Sequence, residues 1–107
     1  MSEPGGLKYD GEKPRWDLLP MGALEEVVKV YSFGVKKYAP WNWRKGIVYS
    51  RCFAAIMRHL FAWWWNRETK DHESQCHPLS AVVFYCLNLM QYEMDGQADL
   101  DDRPCAP

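Results

Sequence analysis

From Ser50 to Asn66 the chain reads SRCFAAIMRHLFAWWWN. The stretch is apolar nearly all round, with Arg58 and His59 as the interruptions within it. A helix without a broad polar face has to be covered on several sides. Any fold containing it must therefore wrap other helices around it or borrow cover from another molecule. The spacing predicts a central helix over these residues, with Ser50 as its N-cap. The run from Cys52 to Trp65 is too short, and too interrupted, to span a bilayer.

Two further helices flank it. Leu24, Val27, Val28, Tyr31 and Val35 follow an i, i+3, i+4, i+7 rhythm, which predicts a helix from Met21 to Tyr38. Pro40 ends it, and Lys36 and Lys37 in its last turn suit the helix dipole. Pro78 fits the first turn of a third helix. There Leu79, Val82, Val83, Cys86 and Met90 form the expected core face, and Gly96 stops the helix. Residues 1–20, with Pro14 and Pro20, read as an extended arm. Residues 21–96 read as the helical domain, and residues 97–107 as an acidic, loose tail. No strand pattern or internal repeat competes. The expected fold is all-α, a compact bundle of three main helices.

At 107 residues the chain makes one small domain, and three such helices bury little surface alone. Six Trp, six Tyr and four Phe are many for this length. Some of that apolar surface should be covered by another copy, so a homo-oligomer is expected. The net charge of −1 argues against a duplex nucleic-acid partner. The four cysteines have no close pairing, which reads as a reduced, cytoplasmic protein.

Several residues could carry chemistry. His77, Phe84 and Asn88 share one stripe of the third helix, apart from its apolar face. A buried Asn can read a base edge, since its amide both donates and accepts; it can equally be a satisfied polar residue between helices. Burying Arg58 would cost on the order of several kcal/mol without a partner. It should then meet an acid, Glu25 or Glu26 among them, or a phosphate, with His59 beside it. The turn KKYAPWNWRKG joins Lys36, Lys37, Arg44 and Lys45 to three aromatics and Asn42. That mixture suits a phosphate chain and a stacked base, or an ordinary helix end.

The segment WNRETKDHESQCHPLS places Glu68, Asp71, His72, Glu73, Cys76 and His77 within ten residues. Carboxylates suit Mg²⁺ or Mn²⁺, and Glu26 could add one from the first helix. No CxxC or HxxxH pairing favours zinc. Spacing leaves both a metal-holding loop and a solvated acidic loop open.

In order, GEKPRWDLLP, ALEEVVKVYSFGVKKYAPWNWRKG, AAIMRHLFAW and ExxDxES followed by HPLSA resemble one family over about residues 7–93. It is the dATP/dGTP diphosphohydrolase N-terminal-like family of small, mostly bacteriophage proteins, related to MazG-like all-α pyrophosphohydrolases. The resemblance implies Mg²⁺- or Mn²⁺-dependent cleavage of a purine deoxynucleoside triphosphate to the monophosphate and pyrophosphate. It implies catalytic roles for Glu68, Asp71 and Glu73, which with Glu26 would hold the metal. Lys36, Lys37, Tyr38, Asn42, Trp43, Arg44, Arg58, His59, His77 and Asn88 would bind the substrate. Two positions depart from the pattern of such enzymes: Lys29 stands where a third acid would follow EE, and Gln75 replaces the glycine of ESG. A non-hydrolysing protein that sequesters a nucleotide or nucleotide-derived signal is the alternative. A helical interaction module is a third reading, and it leaves Arg58 and His59 unexplained.

Overall fold

Pro20 immediately precedes the first helix, Pro78 opens the last, and Pro40 lies in the turn between the first two. Proline lacks an N–H and fixes φ, so it fits helix starts and interrupts helix interiors. The computed structural model describes residues 4–106. Helix α1 spans Met21–Lys37, α2 Tyr49–Trp64 and α3 Pro78–Met94. Short 3₁₀ turns lie at Trp16–Leu18, Asn42–Lys45 and Ala98–Leu100. Among the described residues there is no strand, and the fold is all-α, as expected.

The central helix is α3, not α2. Helix α3 packs against both others, whereas α1 and α2 make few direct contacts. Charge explains the order. Helix α3 carries no charged residue before Glu93, whereas α2 carries Arg51 and Arg58. The small buried Ser80 and Ala81 also let neighbours approach α3 closely.

The inward face of α3 also differs from the expected one, of which only Leu79 and Val82 are half-buried. Ala81, Asn88 and Tyr92 are buried, whereas Val83, Cys86 and Met90 face out. Three- and four-residue spacings mark two stripes on this helix, and only the neighbours decide between them. Helix α2 buries the stripe Tyr49, Cys52 and Ala55 and leaves Phe53, Phe61 and Trp64 exposed, and Trp65 just beyond it is exposed too. Arg58 is exposed as well, with no acidic partner among the described residues. The expected ion pair with Glu25 or Glu26 does not form.

A small core of Tyr49, Tyr92 and Leu100, with Trp43 and Leu89 against it, locks the helix ends together. The Tyr92 hydroxyl donates to the Trp43 carbonyl, which anchors the α1–α2 connection onto α3. Residues 98–103, read from composition as part of a loose tail, pack back on that connection. Leu100 is buried, and the Asp102 carboxylate accepts from the Ser50 backbone N–H at 2.8 Å and from the Ser50 hydroxyl. The cap of α2 thus comes from the tail, and the Ser50 side chain itself makes no cap bond. The arm stands off the bundle, with Leu7, Tyr9 and Trp16 exposed. The radius of gyration, 17.8 Å, accordingly exceeds the roughly 13 Å of a compact chain this long.

Candidate functional site

The α1–α2 connection shapes the most chemically varied concavity. Trp41 adopts φ +63° and Gly46 φ +96°, and between them the 3₁₀ turn Asn42–Lys45 swings Trp43 inward. A groove of about 920 Å³ results, bounded by α1, this turn, α2 and α3. Its aromatic wall is Tyr31, Trp43 and Phe84: Tyr31 and Phe84 lie 4.5 Å apart by ring centroids, and Tyr31 meets Trp43 edge-on at 6.4 Å. Tyr38 and Trp41 stand, largely exposed, toward its rim.

Two polar features sit in this apolar setting. Asn88, 1% exposed, accepts a 2.6 Å hydrogen bond on Oδ1 from the Tyr31 hydroxyl, and its Nδ2 has no partner. An orphaned buried donor costs about 1–3 kcal/mol and is rare in folded proteins. Burial pushes the Tyr31 hydroxyl up to about 12, so it remains a donor near neutral pH.

The second feature is charge. Arg51 and Arg58, two turns apart on α2 with Ala55 between them, line the groove. No Asp, Glu, His or Cys is among its lining residues. Arg44 adds a third cation at the turn, with its guanidinium 4.1 Å from the Trp41 ring centroid and 5.6 Å from that of Trp43. The groove is therefore built for a flat, apolar group joined to an anion.

The acidic segment after α2 is organised differently. Asp71 Oδ2 accepts from the Ser74 N–H at 2.9 Å, the Glu73 N–H at 3.1 Å and the Ser74 hydroxyl at 3.2 Å. The Asp71 N–H donates to the Cys76 carbonyl at 2.8 Å, which closes the loop. Burial pushes the Asp71 carboxyl up, but these hydrogen bonds outweigh it and hold it below its ordinary value. Glu73 pairs with Lys37, and Glu26 with Lys29 at 2.8 Å. Among the described residues no three His, Cys, Asp or Glu side chains come together as a possible metal centre. The donor set of one chain thus does not fit a preassembled metal site, and Lys29, in the place of a third acid, holds Glu26.

Of the expected substrate-binding residues, the groove gathers Tyr38, Asn42, Trp43, Arg58 and Asn88. Lys36 is exposed outside it, and Lys37 is held by Glu73 and lies over Tyr38. His77 caps α3, its Nδ1 accepting from the Leu79 N–H at 3.1 Å. His59 is half-buried and stacks on Tyr85 at 6.4 Å. Burial lowers its pKa, Asp71 opposes the shift and Arg58 adds to it. Glu68, Asp71 and Glu73 belong to the loop and do not line the groove. Tyr31 and Arg51 escaped the sequence reading as site residues, and Phe84 entered it only as a neighbour of Asn88 on their stripe. The spacing of Arg51, Ala55 and Arg58 on one helical stripe was the available signal for the arginine.

A family model described as dATP/dGTP diphosphohydrolase, N-terminal, matches residues 3–103 of the chain. No curated protein and no solved structure matches it.

Proposed function

The chain belongs to the dATP/dGTP diphosphohydrolase N-terminal family, and from that premise we propose that the groove binds a purine deoxynucleoside triphosphate for hydrolysis to the monophosphate and pyrophosphate. The observation that carries this reading is a carboxylate-free, aromatic-walled groove holding both a buried amide whose nitrogen has no partner and two arginines. A base needs flat apolar surfaces and a few polar groups, which Tyr31, Trp43, Phe84 and Asn88 supply. A triphosphate needs fixed cations, which Arg51 and Arg58 supply. Water attacks the α-phosphorus in line and pyrophosphate leaves, its growing charge stabilised by the arginines. Mg²⁺ or Mn²⁺ belongs to this reading as the counter-ion that the triphosphate brings with it.

A second reading is favoured by a specific observation. Glu26 and Glu73 are neutralised by lysines, Asp71 is engaged in its turn, and no acid lines the groove. A chain so arranged could sequester a nucleotide without cleaving it. Incubation with dGTP or dATP and Mg²⁺, followed by chromatography, separates the two. Pyrophosphate formation that falls on Arg51→Gln or Arg58→Gln supports hydrolysis in the groove. Intact nucleotide recovered from heat-denatured protein supports sequestration.

The exposed Val83, Leu87 and Met90 on α3, with Phe53 and Phe61 on α2, support self-association. Light scattering that finds a stable monomer overturns the association.

A further inference from the structure

We infer that Asp102, in the docked tail, is a positioning residue for the anion end of the groove, acting through the first turn of α2 on Arg51. This rests on the reading that the groove takes a phosphate chain. Helix α2 begins at Tyr49, so Arg51 stands in its first turn, whereas Arg58 lies well inside the helix. The first N–H groups of a helix have no partner within it, and helix ends fray. Val48, at the cap position, has no side chain that can accept, and no side chain of the helix takes its place. The Arg51 N–H reaches only back to the Val48 carbonyl, at 3.1 Å. The placement of Arg51 therefore depends on what holds Ser50 beside it.

Asp102 supplies that hold from 52 residues away. One carboxylate oxygen accepts from the Ser50 N–H at 2.8 Å and the other from the Ser50 hydroxyl, so one side chain fixes both groups. These bonds keep the Asp102 carboxyl below its ordinary pKa, and it accepts from both near neutral pH. The tail can deliver it because the chain is seated on either side. Leu100 packs with Tyr49 and Tyr92. Arg103 pairs with Asp101 at 2.7 Å and sets its guanidinium 5.4 Å from the Tyr49 ring centroid. Asp102 is not among the groove-lining residues, whereas Arg51 is, so the carboxylate acts on a ligand through the arginine. A cation fixed before binding loses less freedom when a phosphate arrives, which favours affinity.

Calorimetric titration of the full chain with Mg²⁺ and either α,β-imido dGTP or dGMP tests this without turnover. Asp102→Ala should weaken the triphosphate analogue about threefold to tenfold, and dGMP by less than about twofold. Asp102→Asn keeps an oxygen for the Ser50 N–H and an N–H for the Ser50 hydroxyl oxygen, so it should bind within about twofold of wild type. In an Arg51→Gln background, Asp102→Ala should add less than about twofold, with circular dichroism verifying the helices throughout. Hydrogen exchange on the free chain, which needs no nucleotide, should quicken at Ser50 in Asp102→Ala and stay slow along α3. An Asp102→Ala chain that binds the triphosphate analogue like wild type, that loses dGMP equally, or that loses as much again beside Arg51→Gln overturns the inference and leaves the groove reading standing. Asp102→Asn as weak as Asp102→Ala overturns it too, since charge rather than the two bonds would then matter. An unchanged Ser50 exchange rate overturns it without any nucleotide. Failure of the wild-type chain to bind the triphosphate analogue overturns the groove reading, and this inference with it.

Discussion

Tyr31 and Asn88, 57 residues apart, are joined by a 2.6 Å hydrogen bond that ties α1 to α3 beneath the groove. The bond satisfies the amide oxygen and leaves the amide nitrogen unsatisfied. Removing the hydroxyl alone in Tyr31→Phe should destabilise the free protein by about 1–3 kcal/mol, since both ends of a buried amide are then orphaned. Replacing both residues, as Tyr31→Phe with Asn88→Leu, should return stability to within about 1 kcal/mol of wild type while nucleotide affinity falls. Urea unfolding of the single and double variants measures the difference.

The docked tail rests on a second close pairing. A Cβ on Gly46 would stand 2.9 Å from Leu100 Cδ2, and the backbone there has φ +96°. Gly46→Ala should therefore destabilise the fold by about 1–3 kcal/mol through clash and strain together. Leu100→Ala should cost about 2–5 kcal/mol as a core truncation. In the double variant the alanine at 46 meets a vacated space, so the two losses should sum to less than their separate values. Denaturant midpoints for the four chains close that cycle.

The helices were legible because each is marked by local chemistry: Pro20 and Pro78 at starts, Gly96 after α3, and apolar spacing within. Their arrangement was not. Helix α2 looks central by its apolar residues, yet its outward Phe53 and Phe61 stay exposed while α3 takes the middle. Likewise Asn88 stood on a recognisable stripe, but the Tyr31 bond that directs it depends on packing between distant segments. Asp71 was visible as a candidate ligand, whereas its turn-building bonds to Ser74 and Glu73 required the loop's three-dimensional course. Local chemistry can be read along a chain, but partners across it depend on how helices meet.

That same loop carries a strained residue. Gln75 sits at φ +64°, the left-handed region that glycine enters without penalty. The departure from the glycine of the resembling pattern therefore falls on a backbone that still has the glycine shape. Gln75→Gly should relieve about 1 kcal/mol of strain, partly offset by the added freedom of the unfolded chain. A small rise in thermal midpoint with unchanged helicity is expected. A fall would show that the Gln75 side chain, which donates to the His72 carbonyl at 3.2 Å, outweighs the strain.

Arg51 and Arg58 should separate binding from folding. Both are exposed and neither has an acidic partner among the described residues, so Gln at either position should change stability by less than about 0.5 kcal/mol. Each replacement should nonetheless weaken triphosphate binding by about tenfold, and monophosphate binding by less, because fewer charges are lost. Raising the salt should shrink the difference. Equal losses for mono- and triphosphate would place the arginines away from the phosphate chain.

Acid should loosen the bundle through His59 before it reaches the carboxylates. Burial holds the folded-state pKa of His59 below its ordinary 6.5, with Asp71 opposing the shift and Arg58 reinforcing it. Between those two values the unfolded chain binds more protons than the folded one. Stability should therefore be full above pH 6.5 and decline as pH falls toward the folded-state value. Asp71 is held below its ordinary 3.8, so its contribution is fully present above that value and is lost only as pH falls below it. His59→Phe keeps a ring against Tyr85 and removes the titrating group. Urea midpoints at about pH 5 and about pH 8 should differ less in this variant than in the wild-type chain. An unchanged difference would assign the decline to another group.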